Sequence, residues 1–194
     1  MKSIVRGLTV SVAILLLCSC TIRHAIQDSY PQYLAKNIGS ANLPKTDKAS
    51  QYVITPQTEQ FAYEFRAFMT GEANLWVVEF GKMLDDTLKS TDVQAAFGSL
   101  QKSADTRSDA GGVLIFDLEQ YTFEKFGAHI SLKITLSRSG KTIFAKTYVE
   151  DGKTQGGKMF WGGAFAQRNA VQQSTKLALD AILRRLITDI NAGT

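Results

Sequence analysis

The chain reads as an α+β two-layer sandwich: a mainly antiparallel sheet, in the order strand–helix–strands–helix, with two helices packed on one face. Three observations predict this. Residues 113–150 hold three strand-like runs joined by short turns, and in the middle run Ile130, Leu132, Ile134 and Leu136 alternate with His129, Ser131, Lys133 and Thr135. That is the period of a sheet with one buried and one wet face. Between 165 and 190, Leu179, Ile182, Leu183, Leu186, Ile187 and Ile190 fall on one helical stripe, with Arg184, Arg185 and Asp189 opposite. A second helical period, through Trp76, Phe80, Met83, Leu84, Thr87 and Leu88, lies upstream. One apolar sheet face and two apolar helix stripes bury each other most economically in two layers.

From the start of the chain, Lys2 and Arg6 precede an apolar stretch, Leu8 to Leu17, that ends at small residues. This is the pattern of a secretory signal, and it falls short of the roughly 20 apolar residues a spanning helix needs. Residues 20–50 carry Pro31, Gly39, Pro44 and many polar residues without a period, and read as a tether. Tyr30 and Tyr33 are its candidates for docking on the domain or near a membrane. A single domain is expected over 51–194. Gln51 to Thr55 is a short strand stopped by Pro56, and Phe61, Tyr63 and Phe65 alternate with Glu64 and Arg66 as a half-buried strand. Asn74 to Ser90 is the first helix, with Asn74 as its N-cap. Val93 to Leu100 fits either a strand or a helical extension, and 101–112 a loop. Val113 to Phe123, Ala128 to Ser137 and Lys141 to Glu150 form the meander, with Ser139-Gly140 as a hairpin turn. A glycine-rich segment, Gly152 to Gly163, leads into the last helix, which Asn191-Ala192-Gly193 stops.

Composition bounds the function. An apolar fraction of 44% is that of a globular domain with a core. Lys2 and Arg6 supply two of the four net positive charges, and no run of five like charges occurs, so no nucleic-acid partner is expected. The only cysteines are Cys18 and Cys20, and the only histidines His24 and His129. A Cys-rich metal site and a Cys–His pair are therefore not expected, nor is any metal or diffusible cofactor. A serine triad would need His129 as base, and the G-x-S-x-G motif is missing. Asp85-Asp86 reads as the wet face of a helix, because adjacent helical residues do not face one another. Glu150-Asp151 reads as the end of a strand. Gly152 to Lys158 matches G-x4-G-K, but Met159 stands where a P-loop needs Ser or Thr. No enzyme is expected. Met159, Phe160, Trp161 and Phe165 sit among glycines. They either fold onto the core or form an apolar tip that touches lipid or a partner.

Leu17-Cys18-Ser19-Cys20 resembles a bacterial lipobox. The resemblance implies a diacylglycerol on Cys20, cleavage after Ser19 so that 1–19 leave as the signal peptide, and an N-acyl chain on the new terminus. Two or more chains give stable anchoring. Thr21 in place of aspartate at the next position implies the outer membrane, facing the periplasm. The strand with Phe61-Ala62-Tyr63-Glu64-Phe65, the run Leu75-Trp76-Val77-Val78-Glu79-Phe80, the meander and the closing Ala178-Leu179-Asp180-Ala181-Ile182-Leu183 together resemble the ABC-type transport auxiliary lipoproteins, the PqiC-like partners of MCE lipid transporters. They are also similar in topology to YajG-like lipoproteins. The first resemblance implies a non-enzymatic accessory that docks an envelope transporter protein, with Met159, Phe160 and Trp161 as contact candidates. The second implies a structural or scaffolding envelope lipoprotein, for which self-association stays open.

Overall fold

The computed structural model describes residues 21–66, 71, 73–106, 111–153 and 163–193. The elements are β1 (Ile22–Ala25), a 3-10 turn (Gln27–Ser29), α1 (Tyr30–Lys36), β2 (Gln51–Ile54), α2 (Pro56–Glu59), β3 (Ala62–Phe65), β4 (Asn74–Glu79), α3 (Phe80–Leu88), α4 (Thr91–Phe97), β5 (Gln101–Lys102), β6 (Val113–Glu124), β7 (Gly127–Arg138), β8 (Lys141–Lys153) and α5 (Gly163–Gly193). The fold is mixed α+β, and the strands form two sheets where one was expected. A five-stranded sheet runs β5-β2-β6-β7-β8, and a three-stranded sheet runs β1-β4-β3.

The meander is as read. β6, β7 and β8 pair antiparallel, and Ile130, Leu132, Ile134 and Leu136 are buried. Ser139 and Gly140 both take positive φ, 48° and 75°, as a tight primed hairpin turn requires. A register shift between Leu118 and Gln120 swings Tyr121 and Phe123 to the core side. β2 adds to β6 in parallel.

α5 covers the sheet. Its second half buries the expected stripe, Leu179 to Ile190. Its first half buries polar residues as well: Gln167, Gln172, Ser174 and Thr175. The Tyr121 hydroxyl meets Thr175 Oγ1 at 2.9 Å, and Gln172 Nε2 donates to the Ile26 carbonyl at 2.9 Å, so these polar groups are satisfied where they are buried. The helix approaches β8 so closely that a Cβ on Gly152 would lie 1.7 Å from the Ser174 carbonyl oxygen. Gly152 therefore belongs to β8, which runs on to Lys153, and Glu150-Asp151 lies within the strand instead of at its turn.

Two further expectations are corrected. Residues 21–50 are part of the fold and not a tether. β1 pairs in parallel with β4, Ile26, Tyr30, Leu34, Ala41 and Ala49 are buried, and Thr46 Oγ1 donates to Asn191 Oδ1 at 2.8 Å. Short elements pairing with distant parts of the chain leave no local period, which is why this segment reads as irregular. The helix expected from Asn74 starts at Phe80. Trp76, Val77 and Val78 are all buried in β4, a strand with both faces covered, so no alternation betrays it. Val93 to Leu100 resolves as helix over Thr91–Phe97. Among the described residues no helix is long and apolar enough to cross a membrane.

Candidate functional site

The residues singled out in the sequence, Cys20 and Met159, Phe160 and Trp161, lie outside the described residues, as does most of the G-x4-G-K segment. Their chain neighbours are described, and topology brings those neighbours to one end of the domain. β1 starts at Ile22, whose amide donates to the Ala73 carbonyl at 2.8 Å. His24 stacks on Trp76 at 4.5 Å and bonds Asn74 Oδ1 at 2.7 Å, and Arg23 pairs with Glu64 at 2.7 Å, so this edge strand is fastened on both sides of its backbone. β4 starts beside Ile22 and β3 finishes there, at Phe65. The Phe65 ring lies 5.3 Å from Phe123 and Tyr63 lies 5.5 Å from Tyr121, which brings the far end of β6 to the same place. Beyond it comes the β6–β7 turn, and Gly127 pairs with Lys153, the last residue of β8.

α5 runs antiparallel to β8, since Ser174 lies at Gly152, Arg185 pairs with Glu150 and Asp189 accepts from Tyr148. Its first turns therefore project beyond the same end. Gln172 reaches the Ile26 carbonyl. Four strand residues from Ile26 back to Ile22 and seven helical residues from Gln172 back to Phe165 cover similar distances, roughly 13 and 10 Å. Ile22 and Phe165 thus reach a similar level. They are 54% and 80% exposed; the other exposed large apolar side chains among the described residues, Ile38, Ile143, Val149 and Leu177, lie elsewhere along the chain. In the turn, Lys125 and Phe126 both have positive φ, 48° and 63°, a conformation that favours Asn-Gly and disfavours bulky residues. Sequence reasoning missed Ile22, Lys125 and Phe126, because only the topology unites them. The signal that was available is an isoleucine two residues past Cys20, the last residue of the lipobox-like motif.

A groove of about 240 Å³ opens between α1, the α3–α4 junction and α5, lined by Leu34, Ile38, Asp86, Asp92, Lys176 and Asp180 among others. At its base Lys176 Nζ and Asp180 Oδ2 lie 2.5 Å apart, both nearly enclosed. Burial pushes the Asp180 carboxyl up despite Lys176. Asp92 accepts from the Gly39 and Ala41 amides and is spent on holding that loop. Burial, with Asp85 beside it, also raises Asp86. Asp85 turns the other way. Its burial is outweighed by Lys89, the Tyr52 hydroxyl and Lys102, which hold it below the usual carboxylate range. The two aspartates thus serve different environments and do not converge on one space.

The wet face of the meander carries a shallow basin with His129, Ser131, Val149 and Asp151. His129 Nδ1 meets Asp151 Oδ1 at 2.6 Å, but Ser131 Oγ donates to Glu119 at 2.9 Å. Ser131, His129 and Asp151 share a face without forming a relay. His129 sits outward in its strand, as read. Among the described residues no group of three or more His, Cys, Asp or Glu is placed to hold a metal ion.

No family model and no curated protein matches the chain. Among solved structures it is similar to protein XCC0632 from Xanthomonas campestris, of the DUF330 family model, at 13% identity and a TM-score of 0.49 over 78% of this chain and 91% of that one. It is also similar to an uncharacterized protein at 13% identity and a TM-score of 0.46, over 74% of this chain and 95% of that one.

Proposed function

We propose that this chain is a non-enzymatic bacterial lipoprotein, acylated on Cys20 and held on the periplasmic side of the outer membrane. It serves there as a docking component of an envelope ABC transporter of the MCE lipid-transport type. The observation that carries the reading is Leu17-Cys18-Ser19-Cys20 at the end of a signal-like stretch. Such a motif gives the domain an address and a covalent anchor. The PqiC-like pattern of strands and helices supports the transport role. Function on this reading lies in anchoring and surface complementarity, with no covalent step and no cofactor beyond the lipid on Cys20. The test is affinity capture of the tagged, lipidated protein from detergent-solubilised envelopes, read by mass spectrometry. Recovery of an MCE protein with its ATPase and permease is the expected result. Recovery of only the protein itself, or of a different envelope complex, replaces the transport role with a scaffolding one.

A further inference from the structure

We propose that the end of the domain bearing Ile22, Lys125, Phe126 and Phe165 rests on the phospholipid surface into which the Cys20 lipid is inserted. The inference deepens the lipoprotein reading and rests on it.

Cys20 is two residues from Ile22, and two residues span at most about 7 Å. Ile22 opens a strand paired through all four of its residues with β4 and pinned by the His24–Trp76 stack. An acylated Cys20 therefore has no leash, and the end of the domain it leaves from stays within a headgroup's thickness of the bilayer. Ile22 and Phe165 are large, apolar and exposed, and they occupy the same end although they are far apart in sequence. In the β6–β7 turn, exposed Lys125 and half-buried Phe126 take a backbone conformation that costs such residues energy. An amphipathic cation beside an aromatic ring is the pairing that settles at headgroup level. Exposed Lys153, across from Gly127, adds a second cation. Glu124 and Asp151 lie nearby, and Asp151 is engaged by His129. The charge is thus mixed, and the contact is a shallow one of apolar side chains with two lysines, distinct from a polybasic patch.

The opposite end supplies an internal control. The Ser139-Gly140 turn lies at the other end of the twelve-residue strand β7, roughly 40 Å away. The lipidated protein is reconstituted into vesicles of phosphatidylethanolamine and phosphatidylglycerol containing a headgroup-nitroxide lipid. An environment-sensitive fluorophore is placed at Lys125→Cys, Phe165→Cys or, as control, Ser139→Cys. The Cys20 sulfur is blocked by its thioether to the diacylglyceryl group, and no other cysteine survives signal removal. The expected result is flotation of all three with the vesicles and several-fold stronger quenching at positions 125 and 165 than at 139. Flotation with equal quenching at all three positions overturns the orientation while leaving the anchor standing. Failure to float overturns the lipoprotein reading and this inference with it. The Phe165→Cys variant, on an exposed helical turn, keeps the test valid if the strained β6–β7 turn does not tolerate labelling.

Discussion

Substituting Gly152 by alanine probes the seam that joins the long helix to the sheet. The added Cβ would stand 1.7 Å from the Ser174 carbonyl oxygen, 2.6 Å from the Ser174 carbonyl carbon and 3.1 Å from the Ala178 amide. Ordinary contact begins at 3.4 Å, so the α5 backbone must retreat by ~1.7 Å. Every atom in the way is backbone, and no rotamer change relieves the clash. The same helix buries Leu179, Ile182, Leu183 and Leu186 against the sheet, and a retreat loosens those contacts too. Overpacking of this kind costs about 3 kcal/mol, the upper end of its usual range. Restricting the unfolded chain returns about 0.4–1 kcal/mol, which leaves a net loss of about 2–3 kcal/mol. For a chain of this size that lowers Tm by about 5–10 °C. Urea unfolding followed by circular dichroism, with m compared between variants, measures it. Gly193→Ala, where no atom lies within 4 Å, is the control and should stay within about 0.5 kcal/mol of the parent. A Gly152→Ala protein as stable as the control would mean that α5 does not lie against β8 at this point.

Three further outcomes follow from the packing. Ile26→Ala, at a side chain with no exposure, should cost about 2–5 kcal/mol in chemical unfolding; a loss below about 0.5 kcal/mol would restore residues 21–50 to the role of tether. Lys176→Met strands the Asp180 carboxylate and should cost about 3–5 kcal/mol at neutral pH, while Lys176→Met combined with Asp180→Leu should recover most of it. Asp180 already binds its proton more tightly folded than unfolded. Removing Lys176 widens that gap, so the variant should lose stability as pH rises from about 4, the ordinary carboxylate value, and regain it on acidification. A deficit that is constant between pH 4 and 7 would show that Asp180 is not the group left unpaired.

How much could be read from the residues depended on whether a pattern was local. The meander was legible because Ile130 to Leu136 alternate in an antiparallel strand with one wet face, and because Ser139-Gly140 closes a hairpin in two residues. The second half of α5 was legible from its stripe. β4 was not. Trp76, Val77 and Val78 are buried together, and Phe80, Met83 and Leu84 follow at once with a helical period that extends backward without a break. The three-stranded sheet stayed hidden for a related reason: its strands come from 22–25, 62–65 and 74–79, and the parallel β1–β4 pair joins residues 52 apart in sequence. The first half of α5 buries Gln172 and Thr175, whose partners Ile26, Ser29 and Tyr121 are visible only after folding. Leu17-Cys18-Ser19-Cys20 is a linear motif, and its resemblance to a lipobox needs no fold to be seen. The end of the domain it leads to is assembled from β1, the β6–β7 turn and α5, and no segment of sequence describes it.

The most direct measurement is the intact mass of the protein purified from the membranes of a bacterial host, with its N-terminal peptide sequenced by tandem mass spectrometry. The lipoprotein reading predicts a chain that begins at Cys20 and carries a diacylglyceryl group and an N-acyl chain, both lost in Cys20→Ser. An unmodified chain that retains residues 1–19, or one cut elsewhere with a free Cys20 thiol, would contradict the anchor and with it the docking role.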